Sequence, residues 1–110
     1  MFYGSNNKFR AKKTIYNGIV YDSKGEARLA AEIDLLIRAK EYKGVERQVK
    51  FNLYGKNNTK ICTHIVDFVL SNKDGSLEVW EFKGVETKDF RIKHKLFLDN
   101  YPDIKYIIVK

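Results

Sequence analysis

Apolar and polar positions recur along the chain with changing period, and the changes mark out its elements. Thr14-Ile15-Tyr16 and Ile19-Val20-Tyr21 are β-prone runs around Asn17-Gly18, a pair that tolerates positive φ at both central turn positions, and they predict a short hairpin. Ser23 opens a proline-free stretch to about Glu41 in which Ala27, Ala30, Ile33, Leu36 and Ile37 fall at helical spacing. After Gly44, Val45 to Tyr54 alternates as a strand with Val49, Phe51 and Leu53 on one side, and Gly55-Lys56-Asn57-Asn58 reads as a turn. Lys60 to Ser71 predicts a second strand, with His64, Val66, Phe68 and Leu70 on one face and Ile65, Asp67 and Val69 on the other. Apolar character on both faces implies cover on both sides.

Asn72-Lys73-Asp74-Gly75 reads as a hairpin turn into a partner strand, Ser76 to Gly84, with Leu77, Val79, Glu81 and Lys83 on one face and Glu78, Trp80 and Phe82 on the other. Thr87 can cap a second helix to about Asn100 that buries Phe90, Leu96, Phe97 and Tyr101. Pro102 stops it, and Lys105 to Val109 is a closing strand. The expected fold is α/β in the broad sense, an α+β arrangement on a mixed sheet: an N-terminal hairpin followed by α-β-β-β-α-β. Residues 1–13 are expected to form a flexible basic arm and 14–110 a single domain.

Composition narrows the function. A chain of 110 residues and 12.9 kDa has room for one core. With 44% hydrophobic and 32% charged residues it resembles ordinary globular proteins rather than disordered ones. No apolar run approaches the roughly 18 residues that a membrane helix needs, so no membrane partner is expected. Met1 to Arg10 lacks the apolar stretch of a secretion signal, which makes an intracellular location the expectation. Cys62 is the single cysteine, which excludes an intrachain disulfide and a cysteine-built zinc site. Lys+Arg number 21 against 14 Asp+Glu, a net charge of +7, and that balance points to a polyanionic partner. Lys8, Arg10, Lys12 and Lys13 would add reach toward phosphates if they order on binding, and a disordered tail is the equal alternative.

Three ionisable groups stand in strands that otherwise read as core: Asp67 between Val66 and Phe68, and Glu81 and Lys83 around Phe82. Buried charge is costly unless it is paired or bound to a cation. The hairpin at Asp74-Gly75 lays the two strands side by side, so two carboxylates and an ammonium can converge. Together with a backbone carbonyl, that of Phe82 for instance, they make a site for a hard cation such as Mg²⁺ or Mn²⁺, with Lys83 to orient or deprotonate an attacking water or to stabilise charge on a phosphate. The alternative is a buried ion pair that only holds register. Glu26 also has two readings, as the end of a capping box begun by Ser23 or as an acid aimed at the sheet from the buried stripe of Ala30, Ile33 and Ile37.

Asp67 followed by Glu81-Phe82-Lys83 on a hairpin partner resembles the D…(D/E)XK signature of the PD-(D/E)XK nuclease superfamily, whose restriction-endonuclease-like core has the same element order. Val66 stands where many members have proline. More narrowly, Tyr21 to Ala27, Glu46-Arg47-Gln48, Asp67-Phe68 and Glu81 to Thr87 resemble a family of small phage-associated endonucleases related to phage endonuclease I, a junction-resolving enzyme. The resemblance covers roughly Tyr16 to Val109. It implies that Asp67 and Glu81 ligate the metal, that Lys83 serves the water and that Glu26 contributes from the first helix. It also implies a Mg²⁺- or Mn²⁺-dependent endonuclease of branched or distorted DNA in a bacterial or archaeal host, with a phage origin in keeping; a homodimer is expected from that function, because one small subunit has one site.

Substrate contacts are expected from Lys88, Arg91 and Lys95 at i, i+3 and i+7 of the second helix, with Lys93 and His94 close by. A solvated helix face is the other reading of that stripe. Gln48 is a candidate for a water or phosphate contact, or else a strand-end hydrogen bond. His64, by parity opposite to Asp67, is given no catalytic task and is expected to be packed or partly exposed. A nuclease that nicks or cuts duplex DNA at a preferred sequence, and a non-catalytic nucleic-acid-binding module, are the competing functions. No residue reports on a 2′-hydroxyl, so RNA stays open.

Overall fold

The structure, a computed structural model, describes residues 13–110. The arm residues Lys8, Arg10 and Lys12 lie outside the described residues, and Lys13 is exposed. The elements follow in the order β1 (Thr14–Tyr16), β2 (Ile19–Tyr21), α1 (Lys24–Arg38), β3 (Gly44–Tyr54), β4 (Lys60–Ser71), β5 (Leu77–Phe82), α2 (Lys88–Asn100) and β6 (Lys105–Val109), with one 3₁₀ turn at Lys56–Asn58. This is a mixed α+β fold. β1 and β2 form an antiparallel ribbon turned by Asn17 and Gly18, whose φ values of 52° and 79° are those that a tight primed turn needs. The main sheet has the order β3-β4-β5-β6, antiparallel except for the parallel pair β5–β6, which α2 connects.

Local chemistry accounts for the helix limits. The Ser23 hydroxyl accepts from the Glu26 N–H at 3.1 Å and the Thr87 hydroxyl from the Phe90 N–H at 3.1 Å, each satisfying a donor the first turn leaves free. α1 stops at Arg38, short of the expected Glu41. Lys40 takes φ 61°, and Lys40 N–H to Ile37 O with Glu41 N–H to Leu36 O closes a Schellman turn on a residue that is not glycine. β5 is shorter than the expected Ser76 to Gly84, although the Lys83 N–H still donates to Val109 O at 2.9 Å.

Two cores sit on opposite faces of the sheet. One gathers Ala27, Leu29, Ala30 and Ile33 of α1 with Tyr21, Phe68 and Leu70, and takes in Trp80 and Phe82. The other gathers Phe97 of α2 with Leu53, Val66, Val69 and Val79, and takes in Val49, Phe51 and Tyr106. These memberships correct the strict alternation expected for the second core strand. Phe68 and Leu70 lie toward α1, whereas Val66 lies toward α2 with Val69. β3 reverses at the same level: Val45 and Arg47 line a cavity with Tyr21 and Ile33, while Val49 and Leu53 join the α2 side. The pivot is Gln48, whose φ of 52° turns the chain through the left-handed region, opposite Asp67. Among the described residues no helix is long and apolar enough to cross a membrane.

Candidate active site

β4 and β5 separate where the acids lie. Their ladder runs from Ser71↔Leu77 to Phe68↔Trp80 and ends there, while β5 continues against β6 as far as Phe82↔Val109. One more ladder step would seat Asp67 directly opposite Glu81, two carboxylates on one face, which is unfavourable. Instead the Phe82 N–H, left without a ladder partner, donates to Asp67 Oδ2 at 2.9 Å. The side chain of Asp67 thus takes the place of a backbone acceptor at the mouth of the gap.

Glu26 approaches from α1. The residue before it, Gly25, leaves space for the Phe82 ring: a Cβ at Gly25 would lie 2.0 Å from Phe82 Cζ. That close approach lets the α1 N-terminus settle onto β5 and buries Glu26 to 6% exposure. Gln48 Nε2 reaches Glu26 Oε2 at 3.4 Å, and the guanidinium of Arg47, stacked 4.6 Å over the Tyr21 ring, adds positive potential. Burial raises the Glu26 pKa, Asp22 and Glu81 raise it further, and a backbone hydrogen bond at Asp22 and Arg47 hold it back. The cap and the inward-facing acid therefore both apply in part: Ser23 caps the backbone of Glu26, and the carboxylate belongs to the acidic cluster.

Asp67 is the most perturbed acid. Burial pushes its pKa up to about 7, the charges of Glu26 and Glu81 add to that, and the Phe82 N–H and Lys83 oppose it. Glu81 is 3% exposed and differently served. Its Oε2 lies 3.3 Å from Lys83 Nζ, and its Oε1 accepts a hydrogen bond from the Tyr106 hydroxyl, which in turn lies 2.8 Å from His64 Nε2. Lys83 Nζ also sits 4.4 Å above the Phe90 ring centre. The expectation that His64 is packed holds, since it is 5% exposed. Parity set it opposite to Asp67, and the two line different clefts; His64 lies on the Glu81 side, 3.7 Å from that carboxylate.

The three predicted acids thus fall into two groups that share Lys83. Glu26, Asp67 and Phe82 border a cleft of about 430 Å³, and His64, Glu81 and Lys93 border a second of about 270 Å³; Lys83 lines both. Among the described residues no three His, Cys, Asp or Glu side chains are gathered on one point so as to hold a metal ion. The three acids that lie within each other's field nevertheless offer carboxylate oxygens, the donors a hard cation takes. Glu81, in contact with Tyr106 and Lys83, lines the second cleft, while Asp67 and Glu26 line the first.

Of the predicted substrate contacts, Lys88, Arg91 and Lys95 are exposed on α2. Lys93 is half-buried, paired with Asp89 at 3.5 Å, at the second cleft. Gln48 is exposed and touches Glu26, so it stands at the site rather than at a strand end. Tyr106 has no place among the expected site residues, where it reads as one apolar position of a buried strand. Its hydroxyl was the available signal, because a buried tyrosine needs a polar partner.

A family model described as a protein of unknown function, DUF1064, matches residues 6–110. The chain belongs to the DUF1064 family. No curated protein and no solved structure matches it. The match spans every element of the fold, so in this DUF1064 chain the separated strands and the acids between them lie wholly within the family's extent.

The left-handed backbone of Gln48 gives a test of the site's local strain. A non-glycine residue there costs about 1–2 kcal/mol, so Gln48→Gly is expected to match or exceed the parent's stability, whereas β-branched Gln48→Val is expected to lose about 2 kcal/mol. Urea unfolding of the two variants checks the difference. Equal stabilities would refute the strain at this position.

Proposed function

We propose that this protein is a divalent-cation-dependent DNA endonuclease with a PD-(D/E)XK-type core. The observation that carries the proposal is the parting of β4 from β5 at Asp67, which sets that carboxylate on the Phe82 N–H beside Glu81 and Lys83, with Glu26 in the same field. Carboxylates that raise one another's pKa have free energy to gain from a cation. Asp67, Glu81, the Phe82 carbonyl and Glu26 would hold it. When bound, Mg²⁺ or Mn²⁺ supplies charge neutralisation at the scissile phosphate and activation of water.

The chain's own residues do the rest. Lys83, between the two clefts, can hold the water or the phosphate oxygen through its ammonium. Gln48, donating an amide N–H toward Glu26, can share a water with it. Lys88, Arg91 and Lys95 project from the helix that follows the site and can take neighbouring phosphates. None of these groups dictates a base, so backbone and shape readout, branched or distorted duplex included, is the expected preference. A homodimer would supply two such sites for two strands.

One observation favours a second reading, a nucleic-acid-binding module. The Lys83–Glu81 contact at 3.3 Å can serve as a structural ion pair while the exposed bases of α2 do the binding. The deciding experiment incubates the protein with a four-way junction, nicked duplex, linear duplex and single strands of DNA and with RNA, in Mg²⁺, Mn²⁺ or EDTA. Cleavage that needs the cation, and Glu81→Ala protein that binds without cutting, are expected. Binding without cleavage by the parent in every cation would leave the module reading. Glu81→Ala cutting as fast as the parent would overturn the assigned site.

A further inference from the structure

We propose that Tyr106, braced by His64, is a positioning residue: it holds one oxygen of Glu81 so that the other is presented to the divalent cation. The inference rests on the nuclease reading and concerns residues that neither the sequence motif nor the family match distinguishes.

Hydrogen counting gives the chain its direction. The Tyr106 hydroxyl has one hydrogen and donates it to Glu81 Oε1, so toward His64 Nε2, 2.8 Å away, its oxygen must accept. His64 therefore carries its proton on Nε2. The direct His64–Glu81 separation is 3.7 Å, too long for a hydrogen bond, so His64 acts on Glu81 through the tyrosine. Oε1 is thereby committed. Among the described residues Oε2 pairs with Lys83, whose tether is flexible and whose ammonium is also attracted to the Phe90 ring, so Oε2 is the oxygen able to change partner.

The bracing pair is rigidly seated. His64 is 5% exposed, and its ring packs against those of Phe90, Phe97 and Tyr106. Tyr106 comes from β6, a different strand from either partner, so three strands converge on a single carboxylate. Outer partners of this kind orient metal-binding carboxylates, and their loss typically weakens metal affinity by about 10–100-fold.

The test is titration calorimetry of the full-length protein with MnCl₂, run beside cleavage rates as a function of Mg²⁺ concentration. Tyr106→Phe keeps the ring and removes the hydroxyl. Its Mn²⁺ affinity is expected to fall about 10–100-fold, with the rate at saturating Mg²⁺ falling by a smaller factor. Should Tyr106→Phe fail to fold, His64→Leu and His64→Gln carry the same question. Leucine is expected to weaken Mn²⁺ binding about tenfold, and glutamine, which can donate an N–H from nearly the same place, to restore it to within a few-fold of the parent. A parent that binds Mn²⁺ and cuts, with variants that match its affinity, overturns the role of Tyr106 alone. A parent that neither binds Mn²⁺ nor cuts overturns the nuclease reading and this inference with it.

Discussion

Asp67→Asn is expected to stabilise the protein in EDTA at neutral and alkaline pH while lowering cation-dependent cleavage by at least about a hundredfold. The two effects have one origin. The folded-state pKa of Asp67 is raised to about 7, against about 3.9 for an unperturbed aspartate. Between those values the folded state holds a proton that the unfolded state has released, so stability falls as pH rises from about 4 to about 7 and then levels off. Three pH units correspond to about 4 kcal/mol, an upper bound because water relaxes around an ionised group. Glu26, raised mainly by burial, adds a slope of the same sign. Asparagine carries no charge, keeps the shape, and can still accept the Phe82 N–H through its amide oxygen. Its unfolding midpoint should therefore lack most of the parent's decline across that window. A pH series of urea unfolding in EDTA reads this directly, and a difference between parent and variant that does not change with pH would refute the crowding of charge at Asp67. Added Mg²⁺ is expected to reverse the order, stabilising the parent and not the variant, because only the parent gains a counter-charge where its acids repel.

Features written in local chemistry were legible before the structure. Asn17-Gly18, Thr87 and Pro102 each act through their own backbone or side chain on the next few residues, and the hairpin turn, the α2 cap and the α2 end lie where those residues place them. The closing strand at Lys105–Val109 and the strand Lys60–Ser71 are found with the bounds that periodicity predicts. The company of Glu81 and Lys83 was also readable, since both lie on one face of one strand. Features decided by a single backbone angle were not. Nothing in the residue type of Gln48 announces a positive φ, yet the faces of β3 and β4 reverse at its level and His64 lies on the Glu81 side. Lys40 ends α1 in the same conformation without the glycine that usually signals it. Counting by twos through Asp67 assumes a ladder that continues to Glu81, but it ends at Phe68↔Trp80 and the acids line two clefts rather than one.

Phe97→Ala is expected to produce the largest loss of stability, about 3–5 kcal/mol. Phe97 is fully buried at the centre of the α2-side core, with ring centres at 4.9 Å from Phe51 and 5.0 Å from both Tyr101 and Tyr106. Truncation removes the transfer free energy of the ring and leaves a cavity between elements that the sheet holds apart, so collapse can recover little. A small domain has about 5–15 kcal/mol in total, so the variant should be a marginal fold with a much lower urea midpoint and a nearly unchanged m-value. Phe97→Leu, which leaves a smaller void, should lose less. The consequence reaches the site because Phe97 packs against the rings of both His64 and Tyr106, and Tyr106 donates to the Glu81 carboxylate. Because those two rings position Glu81, the folded fraction of Phe97→Leu is expected to show weakened Mn²⁺ affinity although no contact joins Phe97 to an acid among the described residues. Calorimetry at a temperature where the variant is fully folded separates this from simple loss of fold, and an affinity equal to the parent's would confine Phe97 to the core.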